Sequence, residues 1–164
     1  MSLNFKATLS FAQELREDVD HIGKFVPASS LMKDPHVHGK ASFSFDKTFK
    51  TLEIDLQVNG KLTHDREVAL SHLHLDTTSA TGPLTVNLFP SEKNKERVKV
   101  DSTSFHLKTI LTNDDVIPRQ HSQNGFSTNT IASLYTAAKA GNLYIDVHGH
   151  GPYILGMIRG QVYG

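Results

Sequence analysis

Six of the ten histidines in this 164-residue sequence fall into three His-x-His pairs. The pairs are His36/His38, His72/His74 and His148/His150. Residues two apart in an extended strand point to the same face, so each pair can present two imidazoles side by side. Imidazole is a ligand for zinc and copper and also titrates near neutral pH, so the pairs predict metal-binding positions or a pH-sensitive surface. His36 and His38 follow Pro35 in a polar stretch, where we expect a solvated loop pair.

The other two pairs suggest one shared site. His72 and His74 lie on one face of a strand-like segment, and His148 follows Asp146 at the same spacing in another. If the two strands are neighbours, the three imidazoles converge, with Asp146 as a ligand or as an acceptor for an imidazole N–H. Such a set, with His150 as a further candidate, suits zinc or copper. The alternative is that these histidines fill an amphipathic niche and donate hydrogen bonds to carbonyls at a sheet end.

Arg159 is the other residue that draws attention, because it lies in the last predicted strand. An inward-leaning guanidinium needs a carboxylate partner, and Asp146 or Asp76 can serve, so we expect a structural ion pair. The sequence contains no nucleophile elbow, phosphate-binding loop or His-Glu-x-x-His helix. Its carboxylates form no paired acid/base motif. A non-enzymatic role is therefore favoured over catalysis.

Length and charge limit the remaining function classes. A chain of this length is expected to form one domain, residues 1–164. Seventeen basic and seventeen acidic side chains balance, so nothing indicates a nucleic-acid partner. No apolar run approaches the roughly 20 residues of a membrane span, and the opening residues lack the layout of a signal peptide. The absence of cysteine excludes disulfides. The ten histidines should make the protein cationic below about pH 6.

Period-two alternation of apolar and polar residues dominates the chain and predicts about eight strands. We place them at Asn4–Ala12, Ala41–Phe45, Thr51–Val58, Glu67–Leu75, Leu84–Phe89, Val98–Leu111, Leu143–His148 and Ile154–Val162, with the sixth segment as one strand or two. Helical spacing predicts one short helix near 129–140, with Gly141 as its stop. The polar stretches 13–38 and 112–126 are interpreted as loops. This pattern is typical of an all-β sandwich or barrel.

Two long stretches carry a family resemblance. The first combines Ser71-His72-Leu73-His74, Gly82-Pro83-Leu84 and Leu88-Phe89. The second combines Leu134 to Ala140, Gly141-Asn142-Leu143-Tyr144, Val147-His148 and Gly156-Met157-Ile158-Arg159-Gly160-Gln161. The opening Phe5 to Ser10 with Gln13-Glu14 fits as well. In this order the motifs resemble the chordin-type (CHRD) domain family. The chain departs from the family pattern in its long insertion up to His38, in Met157 where glutamate is common, and in His36, His38 and His150.

The resemblance implies an immunoglobulin-like, Greek-key all-β domain of an exported protein, secreted or periplasmic, although a cytoplasmic location is also open. It supplies no enzyme activity. We therefore expect a binding domain whose partner is a protein or surface ligand. The alternative is a copper or zinc metalloprotein built on His72, His74, His148 and His150, with a superoxide-dismutase-like role conceivable by analogy of fold alone.

Overall fold

The computed structural model describes residues 3–118, 120–122 and 125–164. Within them the chain forms thirteen strands and one α-helix, joined by short 3₁₀ turns. The elements are β1 (Asn4–Ser10), β2 (Leu15–Glu17), β3 (Phe25–Pro27), β4 (His38–Phe45), β5 (Thr51–Asn59), β6 (Leu70–Leu75), β7 (Leu84–Phe89), β8 (Val98–Val100), β9 (Ser104–Thr112), β10 (Gln120–His121), β11 (Ser127–Thr128), α1 (Ile131–Lys139), β12 (Leu143–His148) and β13 (Ile158–Gln161). None of the helical residues described forms a segment long and apolar enough to cross a membrane.

Nine strands form one antiparallel sheet in the order β7-β6-β12-β13-β1-β4-β5-β9-β8. The sheet curls into a half-barrel. Two small ribbons, β2–β3 and β10–β11, lie outside it. The order brings together strands from both ends of the chain, because β1 lies between β13 and β4. The all-β prediction is thus confirmed. The described strands form one curled sheet with two ribbons, and the immunoglobulin-like Greek-key sandwich or barrel of about eight strands stays a prediction.

Alternation explains why these segments form strands. In β5 the residues Leu52, Ile54, Leu56 and Val58 are fully buried, whereas the residues between them are half exposed. One face of the sheet therefore carries the hydrophobic core and the other carries polar side chains.

The helix α1 packs against this core. Thr130 caps its first turn by accepting a hydrogen bond from the Ser133 amide, and the Ser133 hydroxyl in turn accepts from the Thr130 amide. Tyr135 faces inward and makes edge contacts with the rings of Phe5 and Phe45. Gly141, at φ +71°, follows the last turn. The helix lies where the sequence predicts it.

Three predicted segments differ from the structure. The stretch 112–126, interpreted as a loop, contains β10 and a 3₁₀ turn at Asn113–Asp115. The expected strand Ile154–Val162 is confined to β13, because a 3₁₀ turn at Gly151–Tyr153 and the left-handed Gly156 (φ +130°) come first. The stretch 13–38, interpreted as a loop, contains the β2–β3 ribbon. For the segment Val98–Leu111, where the sequence left one strand or two open, the structure has two, β8 and β9.

Candidate metal centre

The candidate site lies on the polar face of the sheet where β6 and β12 are paired. Their register places His72 opposite Asp146 and His74 opposite Tyr144, and His148 ends β12 on the same face. The alternate residues of both strands point into the core and are fully buried. These core residues are Leu73, Leu75, Ile145 and Val147. Burial of one face therefore fixes the other, which carries the imidazoles and the carboxylate.

Four side chains converge there. One donor atom from each of His72, His74, Asp146 and His148 lies within 4.8 Å of the others, close enough to share one ion. Asp146 is at the centre, with Oδ2 2.9 Å from His148 Nε2 and 3.2 Å from His74 Nε2, and Oδ1 3.7 Å from His72 Nδ1. The carboxylate is 8% exposed and the imidazoles 12–15%. The group is nearly buried but can be reached from solvent.

Backbone carbonyls orient two of the imidazoles. His74 Nδ1 lies 2.9 Å from the Gly82 carbonyl and His148 Nδ1 lies 2.7 Å from the Ile154 carbonyl. A carbonyl only accepts, so both Nδ1 atoms carry hydrogen and both Nε2 atoms face Asp146. His74 Nε2 and Asp146 Oδ1 are buried without a hydrogen-bond partner. Unpartnered buried polar atoms carry a free-energy penalty, and a bound cation would remove it.

Electrostatics in the cluster follow from this arrangement. Burial opposes ionisation of Asp146, but hydrogen bonds and charge from His148 and His74 outweigh it and hold its pKa well below the usual range. Burial also lowers the pKa of His74 and His148, yet the Asp146 carboxylate overcomes this effect and raises both. Burial lowers the pKa of His72 to about 4, with the neighbouring imidazoles adding to the effect. His72 is therefore neutral at pH 7 and free to donate a lone pair.

Aromatic and guanidinium groups support the site from one side. The Tyr144 ring stacks on His74 with centroids 5.0 Å apart and planes at 5°. The Arg159 guanidinium lies 3.5 Å from the centre of the Tyr144 ring. The Tyr144 hydroxyl also accepts a hydrogen bond from the Gly82 amide, the residue whose carbonyl orients His74. Because Arg159 lies over the Tyr144 ring and that ring stacks on His74, rotation of the His74 imidazole is restricted.

The surroundings of Arg159 differ from the expected ion pair. Its side chain is 2% exposed and donates to the carbonyls of Thr77 and Ala80 at 2.6 and 2.8 Å. Among the described residues no carboxylate, including Asp146 and Asp76, lies within 4.0 Å of it. Carbonyl oxygens and the Tyr144 ring replace the expected partner, because β13 runs beneath the loop that follows β6.

Glu14 is a further buried group near the site; it belongs to the opening motif of the chain, but the sequence assigns it no role in the site. It is 4% exposed, and its Oε1 accepts a hydrogen bond from the Leu15 amide and lies 3.7 Å from Arg16 Nη1. Burial and the charge of Asp146 raise the pKa of Glu14 to about 7, against the opposing charges of Arg16 and Arg159. The charge of Asp146 therefore acts on Glu14, which immediately precedes β2.

The other three histidines of the His-x-His pairs lie apart from the cluster. His150 is exposed and starts the 3₁₀ turn after β12, where its amide donates to the Asp65 carbonyl. The same-face rule applies only within a strand, and β12 ends at His148. His36 and His38 are exposed as expected. Only His36 lies in a loop, in the left-handed region at φ 55°, whereas His38 is the first residue of β4 rather than a loop residue. None of His36, His38 and His150 supplies a donor to the four-residue group.

A protein-family model described as the CHRD domain matches residues 5–162, nearly the whole chain. The chain belongs to the CHRD domain family. The resemblance carried by the two long motif stretches is thereby confirmed. No curated protein matches the sequence. In this CHRD domain the match includes β6, β12 and the segment that contains Glu14, so the histidine cluster lies inside the family fold.

Proposed function

We propose that this CHRD domain binds one Zn²⁺ or Cu²⁺ ion through His72, His74, His148 and Asp146. The observation that carries the proposal is the orientation of His74 and His148. Each uses Nδ1 on a backbone carbonyl and directs Nε2 at a nearly buried carboxylate. Metal-ligating imidazoles show the same division of their two nitrogens.

The donor set favours zinc and copper over harder cations. Three imidazole nitrogens and one carboxylate oxygen suit borderline metals, whereas Mg²⁺ and Ca²⁺ prefer sites made of oxygen alone. Four protein donors would fill a tetrahedral zinc site. Structural zinc sites, which stabilise a fold, have this arrangement. The niche alternative explains the Nδ1 contacts, but it leaves Asp146 Oδ1 buried without a hydrogen-bond partner.

The wider proposal is a non-enzymatic binding domain of an exported protein, secreted or periplasmic, whose partner is a protein or surface ligand. The family supports an extracellular-type domain. In this role the metal would strengthen the pairing of β6 with β12, since it links side chains from both strands.

The test begins with protein purified without an affinity tag. Its zinc and copper content is measured, then the metal-free protein is titrated with each ion by calorimetry. We expect one ion per chain with a Kd below about 1 μM. The double variant His72→Ala/His74→Ala should lose this binding, because it removes two of the three imidazoles.

The matched control is His36→Ala/His38→Ala, which removes a pair of the same spacing from an exposed segment. We expect it to bind as the unmodified protein does. Binding no tighter than about 1 μM in the unmodified protein would overturn the proposal. Loss of binding in the control, with retention in His72→Ala/His74→Ala, would do the same.

A further inference from the structure

The segment that follows β12 controls one of the proposed ligands. The Ile154 carbonyl accepts from His148 Nδ1 at 2.7 Å, so its position sets the direction of His148 Nε2. The segment turns back on itself, because the Gly156 amide donates to the Tyr153 carbonyl and the Met157 amide donates to the Val147 carbonyl. These backbone bonds fix its ends and leave the carbonyls of residues 155 and 156 to other partners.

Arg16 supplies those partners from the β2–β3 ribbon. Its Nη1 donates to the Leu155 carbonyl at 3.0 Å and its Nη2 donates to the Gly156 carbonyl at 2.5 Å. The side chain is only 11% exposed. A guanidinium carries several donors in one rigid plane, so it can hold two adjacent carbonyls at once.

Glu14 holds the same segment from a second direction. A Cβ atom at Gly156 would lie 2.8 Å from the Glu14 carboxyl carbon and from both of its oxygens, so the carboxyl group packs directly on this glycine. Position 156 also has φ +130°, a backbone conformation that residues other than glycine rarely adopt. Glu14 Oε1 lies 3.7 Å from Arg16 Nη1, and its Oε2 is buried without a hydrogen-bond partner.

We propose that Glu14 and Arg16 are positioning residues for the metal centre, acting as a clamp that holds residues 155 and 156 and thereby places the neighbouring Ile154 carbonyl that orients His148. The proposal rests on the proposed function, since it names the residues that prepare one ligand of that site. Glu14 and Arg16 touch no donor atom of the cluster in the contacts described, so their effect is transmitted through the Ile154 carbonyl.

The test compares Arg16→Ala with Lys108→Ala. Lys108 pairs with Glu53 at 3.2 Å on β9 and β5, far along the sheet from β12, so its loss removes a cation without touching the clamp. Zinc affinity of Arg16→Ala should fall at least about tenfold, the usual effect of losing a group that orients a ligand. Lys108→Ala should bind zinc as the unmodified protein does.

A second measurement separates positioning from general destabilisation. The ¹⁵N shifts of His148, recorded on metal-free protein above the titration of the imidazole, report which nitrogen carries hydrogen. In the unmodified protein Nδ1 should carry it, and in Arg16→Ala the two tautomers should mix. Arg16→Lys, which keeps one donor for these carbonyls, should recover part of both the affinity and the tautomer. If Arg16→Ala does not fold, Glu14→Gln keeps the shape of the clamp, removes its charge, and should show the same two effects at smaller size.

The results distinguish the two proposals. Zinc affinity in Arg16→Ala within twofold of the unmodified protein overturns the clamp, and so does a loss of affinity with the His148 tautomer unchanged. If the unmodified protein binds no zinc while Arg16→Ala still mixes the tautomers, the positioning of His148 stands and the metal proposal fails. Mixed tautomers with a tenfold loss of affinity support both.

Discussion

Replacement of Asp146 by asparagine tests the electrostatics of the cluster directly. Asp146→Asn keeps the size of the side chain and removes the one negative charge among three imidazoles. Without it, burial dominates the pKa of His74 and of His148, and both should fall below the ordinary value near 6.5. The variant should therefore be less stable than the unmodified protein wherever those imidazoles are charged in the native fold.

The size of the effect follows from the contacts. The charge-assisted hydrogen bond from His148 Nε2 to Asp146 at 2.9 Å contributes about 1.5–3 kcal/mol. The His74 contact at 3.2 Å adds to it, and removing one partner of a buried ion pair typically costs about 3–5 kcal/mol. Because the imidazoles keep some solvent contact, we expect a loss of about 3 kcal/mol in the free energy of unfolding at pH 5.5.

The sign of the pH dependence is set by the direction of each shift. The lowered pKa of Asp146 contributes stability above about pH 4, and this is lost as the pH falls. The raised pKa values of His74 and His148 contribute stability below about pH 6.5, and this is lost as the pH rises through them. The full contribution of these three groups therefore lies between about pH 4 and 6.5, and the cost of Asp146→Asn should shrink at alkaline pH.

Urea unfolding of metal-free protein in the presence of a chelator, at pH 5.5 and at pH 9.5, measures both quantities. Asp55→Asn is the matched control, because Asp55 pairs with His106 at 2.8 Å with side chains that are 29% and 39% exposed, more than those of the cluster, and its loss should cost less than about 1 kcal/mol. A loss for Asp146→Asn that is the same at both pH values would refute the reasoning, since it would reflect packing rather than charge. A loss below about 1 kcal/mol at pH 5.5 would refute it as well.

Two further outcomes are expected. Zinc affinity should weaken as the pH falls, because bound metal must displace protons held by His74 and His148. Calorimetry in buffers of different ionisation enthalpy should show that more than one proton is released per ion at pH 6. The absence of proton release would contradict this. Gly156→Ala should lose more than about 2 kcal/mol of stability in urea, because it combines a left-handed backbone with a clash on Glu14. Gly23→Ala, at φ +84° with open space around it, should lose only about 1 kcal/mol, and equal losses would show that the clash is relieved.

The strands of the main sheet could be predicted because one face of each is buried. In β4 and β5, apolar residues alternate with polar ones because every second side chain is buried. The β2–β3 ribbon leaves no such record, since its strands have three residues each and are half exposed. Its position depends on contacts remote in sequence, such as those of Arg16 with residues 155 and 156. Local patterns carry no information about contacts of this kind.

The four-residue cluster could be predicted in part for the same reason. Spacing of two places His72 with His74 and Asp146 with His148, and only strand pairing was then needed to bring them together. The spacing rule fails for His150, because the strand ends before it. The carbonyls that orient the imidazoles belong to loops, and Glu14 lies in a polar stretch without periodicity. These parts of the site depend on tertiary structure alone.

Charge balance connects the metal-free and metal-bound forms of the proposed site. In the metal-free domain, the buried Asp146 carboxylate favours the protonated forms of His74 and His148, whereas burial favours neutral His72, whose pKa is about 4. A divalent ion would replace those protons and leave all three imidazoles neutral, so the same carboxylate serves both forms. The backbone need not rearrange between them, since the Gly82 and Ile154 carbonyls already hold each Nδ1–H. In the proposed site, protons and metal would therefore compete for one preformed cluster, and metal loading should follow the pH of the surroundings as well as the metal supply.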